Sequence, residues 1–263
     1  HRAYQLILHQ SHDALHMAFS NPAFSDNAID RVRAQGGTGV MTIAGSAWKS
    51  LALVLLAAAS AGYTWYQIVQ FPDRNISAII WGGVLAGLVV AMVTIFKPNF
   101  APVTAPIYAV LEGLALGGIS YIYEGLYKGV PLIAVGLTFG VALAMLFLYA
   151  TRIIKVTNRL RSIIIGATFG IMLFYLITIA LGFFGIQMPN VFNLGWQGVL
   201  FSSAVVVVAA MNLLLNFDMI ERNAGSAPHY VEWYAAFGML VTLVWLYLEL
   251  LRWASLVFGG RRR

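Results

Sequence analysis

Along this chain, long apolar runs alternate with short polar connectors. Seven runs, at about 48–70, 76–96, 105–123, 131–151, 162–185, 197–217 and 230–252, each reach the roughly 20 residues that a helix needs to cross a bilayer. They must be helices, because an open strand leaves its backbone groups unsatisfied in hydrocarbon. Glu112 interrupts the third run, and Glu232 and Glu249 flank the seventh. The connectors leave no room for a second folded domain. The pattern predicts an all-α, polytopic membrane protein with a seven-helix bundle over residues 48–254. Residues 1–47 form a leader and a flexible cytoplasmic segment, and residues 255–263 a basic tail.

Composition agrees with this reading. Of 263 residues, 60% are hydrophobic and 10% charged, against about 25% charged in an ordinary soluble domain. A water-soluble enzyme and a disordered chain are both excluded. With no cysteine, there is no disulfide, thiolate nucleophile or cysteine-ligated zinc. The net charge of +6 would point to nucleic acid in a soluble protein, but here the basic residues lie between apolar runs and set topology. No nucleic acid partner is expected.

The charges also orient the chain. With the N-terminus inside, the loops joining spans carry Lys97, Arg152, Lys155, Arg159, Arg161 and Arg222 on the inner side, against Arg74 and Lys128 outside. This bias predicts a cytoplasmic N-terminus and an outer C-terminus. The tail Arg261 to Arg263 opposes it mildly. Residues 1–16 read as a leader or an added segment before a start at Met17, and His9, His12 and His16 there are spaced to share a helix face.

Four spans carry glycines four residues apart: Gly83 and Gly87, Gly113 and Gly117, Gly136 and Gly140, Gly166 and Gly170. Such pairs let helix backbones approach closely, so a compact bundle with tight contacts is expected. Tyrosines and tryptophans at span ends, such as Tyr63, Trp65 and Tyr66, suit interfacial belts.

Acids in apolar spans are the informative residues. A carboxylate at mid-bilayer costs roughly 2.5–3.5 kcal/mol on insertion scales, so it faces the bundle interior and marks an ion or proton path. Glu112 lies well inside the third run. Asp218 ends the sixth, one turn before Arg222, with Asn212 and Asn216 on nearly the same face. Glu249 precedes Arg252 by three residues, the spacing of a local, water-exposed ion pair. Thr242, two turns earlier, faces a similar direction.

Catalytic constellations are missing. The chain has no GxSxG elbow, no HExxH helix and no GxxxxGK[ST] loop. His229 is the one histidine and Asp218 the one aspartate in the region of the last two spans, so triads and paired aspartates are excluded. An enzyme is not expected.

The segment Asn216-Phe-Asp218-Met-Ile-Glu221, then His229-Tyr230-Val-Glu-Trp233 and a seventh span ending Leu250-Leu251-Arg252, resembles the Bax inhibitor (YccA-like) family. Asn21-Pro-Ala-Phe, Tyr108-Ala-Val-Leu-Glu-Gly-Leu and Glu232-Trp-Tyr-Ala-Ala-Phe-Gly are similar to its bacterial branch. The resemblance implies a bacterial inner-membrane protein whose seventh helix is central. It also implies a calcium leak sensitive to pH, in which an acid near the end of span six shares a proton with an aspartate in span seven. Asp218 matches the first position. The second falls at Thr242 or Val241, neither of them acidic, and Glu112 is the candidate replacement. Lys97 is the candidate for the family's basic latch. On this reading Asp218, Glu112, Thr242 and Glu249 form the ion path and pH sensor, and Lys97 and Arg222 the gate. Asp218 and Glu112 hold calcium in passing, with no resident cofactor. The alternative is a non-conducting regulator that binds another membrane protein, such as a quality-control protease.

Overall fold

A computed structural model describes residues 39–71, 75–184 and 196–259. His9, His12, His16, Met17, the motif at Asn21 and the tri-arginine tail lie outside the described residues. The helices are α1 (Ile43–Gln70), α2 (Ile76–Phe96), α3 (Ala101–Leu126), α4 (Val130–Ala150), α5 (Asn158–Phe183), α6 (Trp196–Asn223) and α7 (Val231–Gly259). A single 3-10 turn, Pro98–Phe100, links α2 to α3. All seven helices are long and apolar enough to span a membrane. Among the described residues the only β pairing is an isolated bridge between Val40 and Pro228.

Local chemistry sets the helix ends. α1 starts five residues before the predicted 48, because the Thr42 hydroxyl accepts the Gly45 N–H at 2.9 Å. Asn75 and Thr157 cap α2 and α5 in the same way, accepting from Ala78 and Leu160. The α3–α4 turn needs Gly129 in the left-handed region at φ +83°, followed by Pro131 in the first turn of α4. α7 outruns its predicted end near 252: Trp253 donates its indole N–H to Ser203 on α6 at 2.9 Å and stacks edge-on with Phe258.

α7 is the axis of the bundle. In its most apolar window 72% of residues are buried, against 11–44% in the other helices. Leu213, Leu246 and Leu251 anchor the core between α6 and α7, while Leu53, Tyr234 and Phe237 anchor that between α1 and α7. The outer helices expose large apolar side chains such as Trp81, Leu88 and Leu132, whose solvent is lipid. Consecutive helices alternate in direction, so the starts of α1, α3, α5 and α7 share one end of the bundle, called here the near end, with the finishes of α2, α4 and α6.

The glycine pairs divide into two kinds, correcting the expectation that all four make tight contacts. A Cβ on Gly113 or Gly117 would press on the α1 carbonyls of Ala57 and Ala61, and one on Gly83 would lie 2.7 Å from the Leu111 carbonyl. Gly136, Gly140, Gly166 and Gly170 face nothing within 4 Å.

Candidate functional site

Charged groups gather at the near end because three helices finish there and four begin. Asp218, on the penultimate turn of α6, is 7% exposed. Its Oδ2 takes Nη2 of Arg161 at 2.5 Å and Nε of Arg222 at 2.8 Å. Arg222 is the partner one turn on, and it also donates to the Val156 carbonyl at 3.5 Å. Arg161 arrives from the first turn of α5. Two guanidiniums on one oxygen leave a local excess of positive charge, which repels a cation until an arginine withdraws.

Beside it, Glu221 accepts from the Tyr149 hydroxyl and pairs with Arg152. Arg152 adopts φ +60°, in the left-handed region that non-glycine residues avoid. Its guanidinium lies 5.6 Å from the Tyr149 ring centroid, which helps to hold that turn.

Among the described residues the most enclosed carboxylate is Glu232, 1% exposed in the first turn of α7. Its Oε1 accepts the Thr42 backbone N–H at 2.7 Å and the Thr42 hydroxyl at 2.8 Å. Its Oε2 pairs with Lys49 and lies 3.3 Å from Nε2 of His229. The strand-like segment before α1 is bonded over the same place. Met41 donates to Ala227 at 2.8 Å, Gly225 to Met41 at 2.8 Å and His229 to Gly39 at 3.1 Å. Residues 39–42, expected as part of a flexible lead-in, are therefore tied to the α6–α7 turn. Sequence reasoning passed over Glu232 as a flanking residue. The available signal was its opposite charge to Lys49, since charges inside membrane helices pair with one another.

The remaining candidates disperse. Glu112 sits at the α2–α3 seam, where its Oε2 is 3.2 Å from the position a Cβ on Gly87 would take, one turn on from Tyr108. Asp218 faces α5, on the other side of the central α7, so the two carboxylates do not meet. The expected replacement of the missing span-seven acid by Glu112 is thus not a direct contact. Thr242 accepts from the Asn216 amide at 2.8 Å and donates to the Gly238 carbonyl at 3.0 Å. The polar stripe splits, because Asn212 donates instead to Thr168 on α5 at 2.8 Å. Lys97 is exposed and lies 5.9 Å from the Phe100 ring centroid, and among the described residues it pairs with no carboxylate.

Glu249 overturns the expectation of a water-exposed pair. It is 5% exposed, pairs with Arg252 at 2.6 Å and accepts from the Tyr175 hydroxyl at 2.7 Å. Tyr175 in turn accepts from Nη1 of Arg252 at 2.7 Å. The spacing was right and the surroundings were not, because α5 covers this face of α7. Glu249 lies eighteen residues beyond the start of α7, about 27 Å up the helix at 1.5 Å per residue and remote from Asp218. Among the described residues no three histidine or acidic side chains converge on a metal position, so Asp218 and Glu112 each offer a cation one carboxylate.

A search of curated proteins finds no match to this chain. The sequence profile of the family described as Bax inhibitor 1 like matches residues 21–258, which takes in α1 to α6 and all but the last residue of α7. This seven-helix, multi-pass membrane protein belongs to the Bax inhibitor 1 like family.

Proposed function

We propose that this protein is a pH-sensitive leak pathway for calcium in the bacterial inner membrane, closed in the conformation described, with its N-terminus in the cytoplasm. It works without enzyme chemistry or a resident cofactor. The observation that carries this reading is Asp218, a nearly buried carboxylate at a bundle end, clamped by Arg161 and Arg222. Release of the arginines leaves an anionic oxygen site, the ligand type that a hard cation prefers. A single carboxylate holds the ion weakly, and conduction needs that weakness. Glu112 supplies a second oxygen station at another depth.

Calcium uptake into liposomes, followed from about pH 5 to about pH 8, tests the assignment. Asp218→Asn is expected to lose most of the uptake and flatten its pH profile. Arg161→Gln, which removes one clamp, is expected to raise uptake. A parent-like pH profile in Asp218→Asn would overturn the reading.

One observation favours a second reading, the regulator that binds another membrane protein. Gly136, Gly140, Gly166 and Gly170 leave small-residue faces on α4 and α5 open to a partner helix. A pure binding module conducts nothing, and the same flux measurement separates the two.

A further inference from the structure

We propose that the cavity between α1, α3, α4 and α7 binds one acyl chain of a membrane phospholipid. The cavity measures about 560 Å³, within the roughly 300–1,000 Å³ of ordinary ligand sites. Ala57, Ala58, Ala61 and Gly62 cut a shallow trough along α1, and Leu132 and Phe139 of α4 form the facing wall. Ala58, Gly62, Leu132 and Phe139 are themselves exposed, so the cavity opens sideways between two membrane helices. Its neighbour there is hydrocarbon, not water.

The lining chemistry selects the occupant. Ser120 and Tyr247 bond to each other at 2.7 Å, and the Ser120 hydroxyl also reaches the Leu116 carbonyl at 2.6 Å. Thr138 donates to the Ala134 carbonyl at 2.7 Å, and Glu124 accepts the Gly129 N–H at 2.8 Å. The three hydroxyls already have partners and Glu124 lies at the far end, so a polar solute or water cluster gains little along the trough. An apolar chain gains dispersion contacts along the trough. The cavity runs from mid-helix, at Val54 and Leu240, to the far end at Trp65 and Glu124. A lipid tail therefore enters with its headgroup beside Trp65, at the interfacial level that tryptophan favours.

The test uses the full chain in phospholipid vesicles doped with a phospholipid carrying a mid-chain diazirine. After irradiation, label is expected to concentrate on residues 54–65 and 131–139. The pair Ala58→Phe with Gly62→Leu fills the trough, and a Cβ at Gly62 meets nothing within 4 Å. Labelling there should fall about ten-fold, while label on the outward residues Leu176 and Ile177 stays constant. Ala58→Ser, which keeps the volume, should label like the parent. Unchanged labelling in the filled variant overturns the proposal. So does label spread evenly over all exposed helix faces, or cross-linking of two copies through α1 and α4.

Discussion

Glu232→Ala is expected to destabilise the protein by about 3–5 kcal/mol, the cost of removing one partner from a buried ion pair. The loss strands the Lys49 ammonium, whose side chain is 15% exposed, and leaves the Thr42 N–H and hydroxyl without their acceptor. Lys49→Met should be costly for the complementary reason. The double variant Glu232→Ala with Lys49→Met removes both charges, and it should recover much of the loss, giving strong non-additivity. Thermal unfolding of the purified protein in detergent measures all three. Additive losses would show that the pair is not the unit holding α1 to α7.

Gly113→Val, or Gly117→Val, carries the other large effect. Each new side chain meets a backbone carbonyl of α1, and Cβ of Ser60 or Thr64 lies 2.8 Å from the first added carbon. A backbone cannot rotate away as a side chain does, so α1 must separate from α3. Overpacking costs about 1–3 kcal/mol and occasionally more, and the upper part of that range is expected here. Gly136→Ala and Gly166→Ala, with nothing within 4 Å, should melt like the parent. A Gly113→Val protein that also melts like the parent would show that α1 and α3 adjust freely.

The membrane spans were legible because the bilayer imposes length and polarity on every helix. Their ends shifted where a side chain such as Thr42 extended the cap. Asp218 was legible as an acid in the wrong solvent, and Arg222 as its neighbour one turn on. Arg161 was not, because 57 residues separate it from Asp218 and only packing of α5 on α6 joins them. Glu249 shows the reverse failure. Spacing gave its partner correctly, but spacing carries no information about what covers a helix face, and Tyr175 covers this one. The glycines teach the same lesson: identical spacing serves close packing on α3 and faces outward on α4 and α5.

The bonds from Thr42 to Glu232 span 190 residues, and they bear on the order of synthesis. The first helix packs on α3 once that helix is inserted, but the bonds that tie it to α7 form only when the last helix has been made. Until α7 enters the membrane, six inserted helices lack the surface on which both cores close. Closure of the two cores therefore waits for the end of translation, and a chain cut before Val231 keeps the α1–α3 packing but bares the faces that α7 covers.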